Sequence, residues 1–293
     1  MWTRTAFCFG LALVLTAHGG CGRSASDREY TLQGQILSIA VDRKDANIKH
    51  EEIKGFMAAM TMPYKVRNAK EFADLAPGDL ITSTLVVLSN DAYLKDVRKV
   101  GSAPLEAPRA EAPMPPASSG FELLEAGQAV PDGAFVDQDG RRRTLADFRG
   151  SVIVATFIYT TCPMPTFCPL MDRHFTAMQE TLKATKNSLR AHLLSVSIDP
   201  TADTPAVLKR HAQKLGADPR LWTFLTGERD AIDRWASRLG MSISRAMNDQ
   251  KDIAHNLRTV VIDRQGNLAQ IYTGNEWTPA QVVADVQVMV GVD

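Results

Sequence analysis

Two groups of sulfur-bearing residues in this chain of 293 residues could do chemistry. The first is Cys162 and Cys168, separated by Pro163-Met164-Pro165-Thr166-Phe167. Thiols this close can pair as a disulfide in an oxidising space or, as thiolates, act as nucleophiles and metal ligands. Six residues of α-helix rise about 9 Å, whereas a disulfide needs Cα atoms roughly 4.4–6.8 Å apart. The pair therefore cannot bond within one regular helix. Pro163 and Pro165 favour a loop, and a helix is expected to begin near Cys168 or Pro169.

The second group is Met57, Met60 and Met62, with His50 just upstream. On a strand Met60 and Met62 share a face, and across a turn His50 can meet them there. Two thioethers and an imidazole form a soft ligand set that selects Cu(I). Thioethers also need no deprotonation. The competing reading is that these methionines fill a core. A third candidate is His255, which precedes an expected strand at 259–263 and is otherwise a solvated loop residue.

These groups must be positioned by regular elements. Residues 30–41, 46–50, 60–66, 79–88 and 93–100 read as short strands, punctuated by Pro77-Gly78-Asp79 and Ser89-Asn90-Asp91. Five strands in so small a unit predict an OB-like barrel. After a Pro/Ala-rich stretch the pattern changes. Residues 151–159 (SVIVATFIY) and 192–198 (HLLSVSI) are continuous apolar runs, typical of parallel strands buried on both faces. Helices are expected at 170–186, from Thr204-Pro205 to about Leu215, at 230–239 and at 278–290, and a hairpin at 259–263 and 268–273. Asp199 and Asp203 flank the start of the second helix, and capping explains them. His174, His192 and His211 lie on these elements and read as structural. Strands alternating with helices mean an α/β sheet, with Cys162 just past a buried strand, where ligands collect.

Lys plus Arg and Asp plus Glu are each 33, so the net charge is zero. That leaves no excess of cations to displace counterions from nucleic acid, and a DNA or RNA partner is not expected. Residues 6–17 (AFCFGLALVLTA) form an apolar run of 12 residues, shorter than the roughly 17–25 of a spanning helix. Preceded by Arg4, it fits the apolar region of an export signal. His18-Gly19-Gly20-Cys21 follows and is similar to the lipobox of bacterial lipoproteins, except that His18 stands where Leu is usual. Lipidation of Cys21 is the expectation; cleavage without lipid and an uncleaved anchor are the alternatives, and each exports the rest. Cys8 falls in the signal, which leaves Cys162 and Cys168 as the free thiols in an oxidising compartment. The division expected is a signal peptide over 1–20, a β-barrel over 29–100, a semi-rigid Pro/Ala-rich linker over 101–120 and an α/β domain over 121–293.

Residues 54–66 (KGFMAAMTMPYKV), preceded by His50, resemble the copper motif of the CusF-like periplasmic proteins. The resemblance implies Cu(I) ligation by His50, Met60 and Met62. Where that family covers the ion with Trp, this chain has Phe56 and Met57 nearby. Met57 would be a further ligand, or Phe56 a weaker cation–π face. Residues 156–163 (TFIYTTCP), Cys168-Pro169, 195–200 (SVSIDP), Asp203-Thr204-Pro205, 222–227 (WTFLTG) and Ala254-His255-Asn256 together resemble the Sco/SenC family. That resemblance implies a thioredoxin-like fold and copper held by Cys162, Cys168 and His255. It also implies delivery to the dinuclear copper centre of a terminal oxidase. The family loop usually has three residues between its cysteines, whereas this one has five. Redox-only thioredoxin-like proteins generally carry a cis-proline before the strand that follows His255; residues 255–258 contain no proline. A site of two cysteines and one histidine also suits Zn(II).

Two functions follow as expectations. One is a copper metallochaperone on the periplasmic side of a bacterial envelope, lipid-anchored to a membrane. The other is a thiol–disulfide oxidoreductase in which Cys162 attacks and Cys168 resolves, reducing the cysteines of the copper-receiving protein.

Overall fold

The computed structural model describes residues 27–105, 123–185, 190–245 and 253–291. The apolar run, Cys8, Cys21 and most of the linker lie outside the described residues.

The first unit is an antiparallel sheet of β1 (Arg28–Ile39), β2 (Asp45–His50), β3 (Met60–Lys65), β4 (Asp79–Val87) and β5 (Ala92–Ser102). Their order is β3-β2-β1-β4-β5. A parallel bridge between Val66 and Leu94 brings the two edges together, as a small OB-like barrel requires. The cause is strict alternation. In β2, Ala46, Ile48 and His50 are buried while Asn47 and Lys49 between them are exposed, and in β3 Met62 and Tyr64 turn inward with Met60 half-buried. Leu32, Ile36, Ile81 and Leu85 from β1 and β4 complete the core.

The second unit contains β6 (Phe135–Asp137), β7 (Arg142–Arg143), β8 (Val152–Ile158), α1 (Cys168–Lys183), β9 (Ala191–Ser197), α2 (Pro205–Leu215), β10 (Trp222–Thr226), α3 (Arg229–Arg238), β11 (Ile243–Arg245), β12 (Ile253–His255), β13 (Arg258–Ile262), β14 (Leu268–Thr273) and α4 (Pro279–Gly291). Seven strands form one sheet in the order β14-β13-β8-β9-β10-β6-β7. β8, β9 and β10 run parallel, and β13 runs antiparallel to β8. Every residue of β8 and of β10 is buried, because helices or neighbouring segments cover both faces.

The helices start and stop where their sequences dictate. Proline at the first position opens α2, since its missing N–H has no partner there. Gly216, with φ of 66°, closes it in the left-handed region. The Thr278 hydroxyl accepts a hydrogen bond from the Gln281 backbone at the start of α4.

β10, β6, β7, β11 and β12 were not expected from the sequence. β10 (WTFLT) mixes apolar and hydroxyl residues and lacks a clean period, and the other four have only two or three residues each. Among the described residues, no helix is long and apolar enough to cross a membrane.

Candidate metal centre

Cys162 follows the C-terminal end of β8. Its backbone N–H donates to the Tyr159 carbonyl at 3.2 Å, which turns the chain off the strand. The five intervening residues make a second turn, with the Phe167 N–H donating to the Met164 carbonyl at 3.1 Å. Cys168 is the first residue of α1. The loop is pinned from outside: the Arg173 guanidinium donates to the Pro165 carbonyl at 3.0 Å, and the Asn275 amide donates to the Thr166 carbonyl at 2.9 Å.

The two thiols are free and hydrogen-bonded to each other, and they are unequal. Cys168 is 2% exposed, and burial pushes its thiol well above the ordinary range. Its S–H donates to Cys162 and, with backbone N–H groups of the loop, brings the Cys162 pKa down to about 7. One partner is a ready thiolate and the other a sheltered thiol.

His255 ends β12. Its Nδ1 lies 2.8 Å from the Asn256 carbonyl, so the N–H sits there and Nε2 carries the lone pair. Burial lowers its pKa, which favours the neutral imidazole a metal needs. The ring stands edge-on to Tyr159 at a centroid separation of 5.8 Å, and the Tyr159 side chain bonds Cys162. The structure thus joins the thiols and sets the imidazole one aromatic ring away. Among the described residues, no three His, Cys, Asp or Glu side chains converge closely enough to hold an ion.

The other cluster lies in the barrel. The β2–β3 ladder sets His50 opposite Met60 and Ile48 opposite Met62. His50 is 2% exposed. Its Nδ1 bonds the Glu51 carbonyl at 2.7 Å, and its Nε2 is buried without a hydrogen-bond partner. An orphaned buried nitrogen costs free energy, and burial has lowered the His50 pKa so that its lone pair is free. A soft cation is the partner such a nitrogen fits beside two thioethers. Gly34 of β1 makes this strand approach possible: a Cβ there would stand 2.7 Å from the Lys49 carbonyl oxygen and 2.8 Å from the His50 Cα. Phe56 is stacked on Tyr30 at 4.5 Å, and Met57 Sδ takes the Tyr64 hydroxyl at 3.7 Å.

Part of each cluster lines one shared cleft. A cleft of about 290 Å³ between the units is lined by Met57, Met60 and Met62 from the barrel, Met164 from the cysteine loop and His255 from β12. An ion pair between Lys65 and Glu276 at 2.5 Å crosses the junction.

Sequence reasoning missed the carboxylate that supports the thiol loop. Asp203 does not cap α2. It is fully buried and accepts hydrogen bonds from the Thr160 backbone at 3.0 Å, from the Thr160 hydroxyl and from the Ser197 hydroxyl at 2.6 Å. Its position before Thr204-Pro205 carried the local signature of a helix start, and its true partner lies 43 residues away. Asp199 accepts from the Ala202 N–H at 3.3 Å, within the turn before the helix.

A sheet with a cysteine loop at the carboxyl end of a central strand defines a thioredoxin-like protein, here carrying a β-barrel rich in thioethers. The chain belongs to the SCO1/SenC family, whose model matches residues 124–291. Residues 29–99 match the model of the copper binding periplasmic protein CusF. The SCO1 protein homolog of Bacillus subtilis (strain 168) is 32% identical over 155 residues, covering 52% of this chain and 78% of that protein. Mitochondrial and rickettsial SCO2-type relatives are matched over 56–64% of their lengths. A SCO1/SenC family lipoprotein from Bacillus anthracis str. Ames has a similar structure, with a TM-score of 0.50 and 26% identity, covering 57% of this chain and 99% of that one.

Proposed function

We propose that this protein is a copper metallochaperone of the cell envelope, exported by residues 1–20 and anchored by lipid at Cys21. It would hold Cu(I) at two places: through Cys162, Cys168 and His255 in the domain of residues 121–293, and through His50, Met60 and Met62 in the barrel of residues 29–100. Its recipient would be the copper centre of a respiratory cytochrome c oxidase, on the periplasmic side.

The observation that carries this reading is the unpartnered His50 Nε2, buried opposite Met60. Thiol exchange has no use for an imidazole and thioethers, whereas Cu(I) does. At the other site the thiols supply two soft anions once deprotonated, and His255 has its Nε2 lone pair free. Bringing His255 past Tyr159 to the thiols requires side-chain movement when the ion enters.

The asymmetric pair of Cys162 and Cys168 also favours a second reading, a thiol–disulfide oxidoreductase that prepares the recipient's cysteines. Copper titration of the reduced protein separates the two. Wild type should take up two Cu(I). Cys162→Ser and the double variant Met60→Leu/Met62→Leu should each lose one. His255→Ala keeps both thiols: loss of oxidase assembly in that variant supports metal delivery, and retention supports exchange.

A further inference from the structure

Met164 belongs to the cysteine loop by sequence and to the barrel by packing. It is 4% exposed and buried in the barrel's core cluster. Cys162 and Phe167 pack against the same cluster, and Cys162 touches the α/β core as well. Cys162 Sγ stands 4.0 Å from the Met164 carbonyl oxygen. Met164 lines the same cleft as Met60 and Met62, the thioethers opposite His50 and Ile48 in the ladder. A loop of five residues between the cysteines is long enough to carry a side chain out of one unit into the other, and the residue it carries is a sulfur donor.

We propose that Met164 is a bridging ligand through which Cu(I) passes directly from the barrel's methionines to Cys162 and Cys168, without leaving the protein. This rests on the two-site reading above. A bare monovalent cation crosses a mostly apolar cleft only where a donor replaces its hydration. A thioether in the middle does replace it. At each step one bond to copper forms as another breaks: Met164 displaces Met60 or Met62, the Cys162 thiolate displaces the remaining barrel thioether, the Cys168 thiolate displaces Met164, and His255 takes the place of His50. Cys162 and Cys168 release their protons to water. Copper stays monovalent and no electron moves. The direction follows from charge, since anionic thiolates attract the cation and uncharged thioethers do not. With the cysteines reduced, the barrel therefore feeds the loop.

The test uses the full chain, reduced, with one equivalent of Cu(I) added. Stopped-flow absorbance follows the thiolate-to-copper band with and without a membrane-impermeant Cu(I) chelator in excess. In wild type the band should appear at a rate independent of protein concentration and of chelator. In Met164→Leu, which keeps the apolar volume, it should appear on the order of tenfold slower or more, and chelator should intercept the ion. Phe167→Leu disturbs the same loop without removing sulfur and should keep the wild-type rate. Equal rates in wild type and Met164→Leu, or equal slowing in Phe167→Leu, overturns the relay. If wild type takes up no copper at one of the two sites, the two-site reading itself fails, and the stoichiometry shows this before any rate is measured.

Discussion

Asp203 holds Thr160. One carboxylate oxygen takes the Thr160 backbone N–H and the other its hydroxyl, while Ser197 donates to the same carboxylate. Thr160 stands two residues before Cys162, so this buried carboxylate sets where the thiol loop leaves β8. Asp203→Ala should cost on the order of 2–4 kcal/mol, since it strands buried donors in a cooperative network. Asp203→Asn should cost less. Both should weaken copper at the cysteine site by about 10- to 100-fold, the usual effect of losing support behind a ligand. Urea denaturation and competitive Cu(I) titration read the two effects separately.

Gly34 sits directly opposite His50 in the β1–β2 ladder. Any Cβ there meets the Lys49 and His50 backbone and the branched Ile48 side chain, none of which is the end of a flexible chain. Gly34→Ala should destabilise the barrel by roughly 1–3 kcal/mol and push His50 away from Met60. The expected reading is loss of one Cu(I) per chain, with the copper at the cysteine site retained.

The thiols should alkylate unequally. In the reduced, metal-free protein, Cys162 should react with iodoacetamide with a midpoint near pH 7, while Cys168 stays protected by burial. Cys168→Ala removes the largest contribution to that depression, so the Cys162 midpoint should rise toward the ordinary thiol range of about 8.5. Mass spectrometry of alkylated peptides across pH provides the check. Equal reactivity of the two cysteines would contradict the geometry.

Acid should destabilise the metal-free fold through its histidines. Burial holds His192 down to about pKa 4, and it also lowers His50, His174 and His255. A folded-state pKa below the unfolded value of about 6.5 means that this stability is fully present above that pH. It is lost as the pH falls toward 4, where the folded protein must also accept the proton. His192 alone should remove about 2 kcal/mol between roughly pH 7.5 and pH 4.5. His192→Gln, which replaces the imidazole bonded to Thr223, should flatten that part of the profile. Urea midpoints at several pH values measure the slope.

The long elements were legible in the sequence because their patterns are local. The uninterrupted apolar run of β8 predicts a strand covered on both faces, and Thr278-Pro279 predicts where α4 begins. The helix start at Cys168 followed from disulfide reach and the two prolines. β10 and β6 were not legible, since β10 takes its place from strands distant in sequence and β6 pairs with it, and β7, β11 and β12 are too short to show a period of their own.

Residue types and spacing alone determined that the chemistry here is that of soft donors: a close pair of cysteines, a cluster of thioethers and imidazoles, with no charge excess for a polyanion. Only the tertiary structure decided which of them meet. It joined Cys162 to Cys168, set His255 behind Tyr159, left the His50 nitrogen unpaired and drove Met164 into the other unit's core. It also turned Asp203 from a helix cap into the anchor of the thiol loop. Local sequence encodes which element forms, through side-chain period and backbone preference, but pairings between distant residues depend on how whole elements pack, and no short stretch of chain carries that information.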